Sequence, residues 1–230
     1  MKKIFTILLT AVCCFAFPFT ASAIEKKDEV YSVQEIGTIA ELAENETRPY
    51  LINNETGEVY YYDDDVWTVT TVQPRSTESD MVVVSEATFA VPKTSRLSTS
   101  DEDLDVTYSV RVKMSLTYSK SPASRGTEYK LSAASATYTV EDKQVVMGSG
   151  RYVIGATGAG VSDQIRNGVI AANKTSTSVT TYFTKGLLDS DPAATMGARY
   201  SRTLTRGTSS EWVFESSIYI LNNGATFWPF

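Results

Sequence analysis

The stretch from Leu104 to Ser119 constrains this chain more than any other. Its even positions read Leu104, Val106, Tyr108, Val110, Val112, Met114, Leu116 and Tyr118. Its odd positions read Asp105, Thr107, Ser109, Arg111, Lys113, Ser115, Thr117 and Ser119. Successive side chains of an extended chain point to opposite faces, so strict alternation gathers every apolar group on one side of a strand. Helical spacing would scatter the same residues around a cylinder. A strand this long with one dry face needs a second apolar layer to lie on.

Other segments supply that layer. Met81–Val91 is apolar and β-branched and stops at Pro92. Thr127–Glu141 changes phase around Ala133, Ser135 and Ala136, which predicts a bulge. Gln144–Gly155, Ser176–Lys185, Met196–Arg206 and Glu211–Leu221 complete the set. Asn167-Gly168 and Asn223-Gly224 suit tight turns that need positive φ. Short strands with turn signals between them, and no convincing helix, predict an all-β protein: an antiparallel β-sandwich, Ig-like or related.

The N-terminus has a different texture. Lys2 and Lys3 precede an apolar run from Ile4 to Phe19, interrupted at Pro18, and Ala21 and Ala23 stand at the small-residue positions of a cleavage site. This pattern predicts a secretory signal peptide over residues 1–23, removed after Ala23. The run is shorter than the roughly 20 residues a membrane span needs. Cys13 and Cys14 lie inside the signal core, and Val12 stands where a lipoprotein signal wants a small residue. Cleavage removes two lysines, both cysteines and no acid, leaving 19 basic against 27 acidic residues, a net charge of −8. The expected product is a secreted, extracellular, disulfide-free chain with no stable transmembrane helix, and the short Met-Lys-Lys start suggests a bacterium.

Residues 24–80 form an acidic N-terminal region, read as a flexible arm, a pro-segment or an edge addition to the sheet. Val30–Ala43 has helix-like apolar spacing, weakened by Gly37 and Thr38. Tyr50-Leu51-Ile52 and Val59 to Tyr62 flank Asn53–Gly57 like the arms of a hairpin. A polar stretch over 73–80, containing Pro74, reads as a linker, and residues 81–230 are taken as the sandwich domain.

Within residues 104–214 the order and spacing of several short motifs resemble a family of uncharacterised secreted β-rich proteins of Gram-positive, clostridial-type bacteria. The motifs are Tyr129-Lys130-Leu131, Val145–Gly150 with Tyr152, Met196-Gly197-Ala198, Thr203–Gly207 and Glu211-Trp212. The resemblance implies a secreted β-rich domain and implies no activity.

Composition removes several chemistries. The chain has no His, so an imidazole base, a Ser-His-Asp triad or a His-bound zinc is impossible. With 21 basic and 27 acidic residues it cannot form the strongly basic stripe of a nucleic-acid binder. No cofactor motif is present: the Gly148–Gly150 and Gly155–Gly160 segments match neither dinucleotide nor P-loop spacing and read as bulges and loops. The acidic runs at 63–65, 101–105 and 189–191 lack a full calcium-ligand pattern and read as solvated charge.

Tyr60, Tyr61, Tyr62 and Trp67, beside the first acidic run, are the candidate ligand-binding residues, since aromatic faces stack on sugar rings. Arg199, Arg202 and Arg206 alternate onto two faces of one strand and read as surface charge. Glu86, Glu141, Glu211 and Glu215 are the carboxylates from which a glycosidase pair would have to come, with Glu211 and Glu215 expected on a wet face. The leading expectation is a secreted non-catalytic domain that binds an extracellular ligand or cell-surface component, or builds extracellular structure. The alternatives are a carbohydrate-binding module and a membrane-active, pore-forming β-protein, whose hairpins also alternate.

Overall fold

The computed structural model describes residues 34–35, 49–57, 59–61, 67–72, 80–89, 91, 109–208 and 211–224. Its strands in chain order are β1 (Gln34–Glu35), β2 (Tyr50–Asn53), β3 (Val59–Tyr61), β4 (Trp67–Val72), β5 (Asp80–Phe89), β6 (Val110–Ala123) and β7 (Gly126–Val140). They continue as β8 (Val145–Gly158), β9 (Val161–Ile170), β10 (Ser176–Thr180), β11 (Leu187–Leu188), β12 (Thr195–Arg206) and β13 (Trp212–Asn222). One sheet runs β1-β3-β2-β13-β12-β8-β9, and the other runs β10-β7-β6-β5-β4 with β11 beside β7. Every pairing among the described residues is antiparallel. The protein is an all-β sandwich.

From Val110 onward, the alternation read from the sequence becomes the inner face of β6. Val110, Val112, Met114, Leu116 and Tyr118 are buried, while Arg111 and Lys113 face water. Each buried aliphatic side chain of this kind contributes about 1.5–3 kcal/mol. On β7 the buried set changes from odd to even, with Leu131 followed by Ala134, Ala136 and Tyr138. The cause is one extra residue, Ser132, between the pairs Thr117↔Ala133 and Tyr118↔Leu131. The bulge thus falls just before the stretch where the sequence places it. The two sheets meet through Phe89 of β5 and Phe214 of β13, whose rings stack at 4.5 Å and 4°.

Two local outcomes differ from the sequence reading. Asn167-Gly168 is inside β9, where Gly168 pairs with Tyr152. A side chain there would meet the Tyr152 ring, since an added Cβ would lie 2.5 Å from Oη. The glycine is a seat for an aromatic ring across the ladder, not a turn. The strand expected to reach Lys185 stops at Thr180. Thr181 Oγ1 donates to the carbonyls of Leu131 and Ser132 at the β7 bulge, and Tyr182 takes φ 55°. That backbone turn sends Tyr182 outward and Phe183 into the core.

Strand pairing also reaches N-terminal to residue 81, where β2 pairs with β13 and β4 with β5. The Tyr50–Ile52 and Val59–Tyr61 arms pair as a hairpin. Gln34–Glu35, inside the stretch with helix-like spacing, is extended and pairs with β3. The rest of that stretch, the signal segment and residues 73–79 of the expected linker lie outside the described residues.

Candidate functional site

β12 carries three arginines, and all three are buried. This overturns the reading of Arg199, Arg202 and Arg206 as surface charge. Met196, Ala198, Tyr200, Arg202, Leu204 and Arg206 share the inward phase of the strand, so two of the arginines enter the interior. Arg199 has the opposite phase and joins the outer side of the larger sheet.

Each arginine has its own surroundings. Arg199 ion-pairs with Glu215 through Nη2, and the same nitrogen donates to Tyr50 Oη at 3.1 Å. Tyr50 Oη in turn donates to Glu215 Oε2 at 2.5 Å. Glu215 is therefore buried, not on the wet face expected of it. Burial, followed by the Glu215 charge, pushes the Tyr50 phenol well above its usual range. Arg206 Nη2 lies 2.7 Å from Asp142 Oδ2, and Nη1 donates to Val91 O at 3.2 Å.

Arg202 is different. It is 0% exposed, opposite Gly150 and Phe214 in the ladder. Its guanidinium carbon lies 5.4 Å from the centre of the Tyr138 ring, and Nη2 donates to Ala171 O at 3.0 Å. Nε and Nη1 have no partner among the described residues. Gly150 makes room for the stem, because an added Cβ would lie 2.9 Å from Arg202 Cδ. Tyr138 Oη, Tyr200 Oη, Ser216 Oγ and Thr177 Oγ1 are likewise buried without a partner among the described residues. Tyr200 stands opposite both Tyr152 and Ser216 in register. Burial pushes the Tyr138 and Tyr200 phenols far up, with Tyr138 and Tyr152 adding to the rise at Tyr200. Burial also lowers the Arg202 pKa, opposed by Tyr138.

Sequence reasoning misses this interior cluster. The available signal is phase: Arg202 lies in step with Met196, Ala198 and Leu204. The aromatic candidates are not assembled by the backbone. Tyr60 and Tyr61 are on β3 of the larger sheet, whereas Trp67 opens β4 of the smaller. Tyr62, Ala21 and Ala23 lie outside the described residues, as do the acidic runs at 63–65 and 101–105.

The remaining acidic run has a structural task. Asp189 Oδ1 accepts from Thr127 N at 3.0 Å, and Asp191 accepts from Ala159 N at 2.8 Å and Ala193 N at 2.9 Å. It ties the β6–β7 and β8–β9 turns together. The Gly148–Gly150 and Gly155–Gly158 stretches lie within β8 at its two register shifts. Among the described residues, no group of three or more Asp or Glu side chains converges as metal ligands. Among the same residues, no helix is long and apolar enough to cross a membrane. No family model, curated protein or solved structure matches the chain.

Proposed function

We propose that this chain is an exported, non-catalytic β-sandwich that binds an extracellular ligand or cell-surface component. The signal-like N-terminus and the resemblance over residues 104–214 support export. One observation carries the non-catalytic reading: each carboxylate considered for glycosidase chemistry is engaged within the fold. Glu86 and Glu141 flank Arg111 at 3.9 and 2.9 Å, Glu211 accepts from Asn54 Nδ2 at 2.6 Å, and Glu215 holds Arg199 and Tyr50. An acid–base pair needs carboxylates aimed at a shared substrate.

Intact-mass measurement on culture fluid, wall and membrane fractions tests export. The expected product begins at Ile24 and is found in fluid or wall. Full-length protein confined to the membrane pellet would refute export. Glycoside turnover abolished by Glu215→Gln, with the fold retained, would refute the non-catalytic assignment.

A further inference from the structure

Both sheets end in edge strands, and one edge is unlike the rest. β1, β4 and β10 have two, six and five residues, whereas β9 has ten and ends the seven-stranded sheet with no strand beyond it among the described residues. A long bare edge is a template for another strand, and proteins commonly blunt it with lysine, proline or a bulge. β9 contains no Lys or Pro, and its ladder against β8 is regular from Gln164 to Ile170. Ile170 packs into the core, so Gln164, Arg166 and Gly168 share its inward phase and Ile165, Asn167 and Val169 take the outward one. Arg166, the one charge in that stretch, bonds Thr181 O. Ile165 and Val169 are 43% and 74% exposed, two of the four exposed large apolar side chains among the described residues.

The outward positions Ile165, Asn167 and Val169 read apolar, amide, apolar in either direction. We propose that β9 pairs antiparallel with β9 of a second copy, about a two-fold axis through Asn167, so that the larger sheets of two chains become one. In this register Ile165 lies opposite Val169 of the second copy, twice over by symmetry. Asn167 meets its own copy, and its amide both donates and accepts. Arg166 falls opposite Gly168, so no like charges are opposed. An axis at Arg166 would set two guanidiniums against each other, and one at Gly168 would set Val169 against Asn167. The pairing does not depend on where the protein resides, so failure of the export reading leaves it standing.

Sedimentation velocity on the purified chain, from about 1 µM to about 1 mM, is expected to show reversible dimers, and a monomer throughout that range overturns the proposal. Val169→Lys alters both Ile165–Val169 pairs at once and is expected to raise the dimer Kd about tenfold or more. Lys113→Ala, on the exposed face of β6, leaves it unchanged. Crosslinking reads the register. In a Cys13→Ser, Cys14→Ser background, Asn167→Cys is expected to form an intermolecular disulfide under mild oxidation, because directly opposed residues come within reach of one. Val169→Cys lies opposite Ile165, away from its own copy, and stays unlinked. Equal linking at both positions, or dimers that Asn167→Cys does not link, would overturn the proposal.

Discussion

Arg199 and Arg202 stand three residues apart on β12 and differ in almost everything that decides the energy of a buried charge. Arg199 meets Glu215 and the Tyr50 hydroxyl on the outer side of the larger sheet. Arg202 meets an aromatic face and one carbonyl between the sheets. The strand repeat alone assigns them to opposite sides. What differs afterwards is the partner that each side provides. One arginine belongs to a closed ion-pair network, and the other keeps Nε and Nη1 without a partner among the described residues.

The largest expected effect breaks the first of these. Glu215→Ala leaves Arg199 buried beside Tyr50 and is expected to cost about 3–5 kcal/mol in urea unfolding. Arg202→Met should have the opposite sign, a gain of about 1–4 kcal/mol, because an apolar chain replaces a buried charge. A loss matching Glu215→Ala would show that the two environments are energetically alike.

Gly168→Ala probes the neighbouring aromatic pair, since the new methyl collides with Tyr152. Overpacking of this kind costs about 1–3 kcal/mol by the same measurement. Alkaline unfolding compares both regions at once. Tyr50, Tyr138 and Tyr200 have folded pKa values raised above the ordinary value of 10.0. Their unfolded forms release protons first, so their contribution is intact below about pH 10 and is lost as pH rises from there toward the folded values. Urea midpoints should hold from about pH 8 to 9 and fall above about 10, and Tyr200→Phe should lessen the fall. The smallest effect belongs to the exposed Arg111, whose replacement by Ala should cost less than about 1 kcal/mol.

The sandwich is legible in the sequence wherever one face is wet. On β6 the alternation from Val110 to Tyr118 maps directly onto burial, and the phase change on β7 reports a real bulge. Legibility fails on β12, where every residue from Thr195 to Arg202 is buried and polarity no longer marks the outside. There Arg202 looks like surface charge because composition is a guide to burial only when the charged group has water to reach. β9 escapes a sequence reading for a related reason. Its Asn-Gly pair signals a turn locally, and the ring of Tyr152 that requires the glycine comes from another strand. Partners distant in sequence also hide the Tyr50–Glu215–Arg199 network, since no local spacing relates these three positions.

The flank between β9 and the segment after β10 has a further consequence. It is stitched by side chains: Gln164 bonds Thr184 N, Lys185 N and Lys185 O, and Arg166 Nε donates to Thr181 O. These bonds can exchange for water while the ladders of both sheets stay intact. Such a seam opens at low energy, and β9 ends at Ile170, next to the Ala171 carbonyl that holds Arg202. That flank is expected to exchange its amide protons through subglobal opening, ahead of the paired strands and without global unfolding.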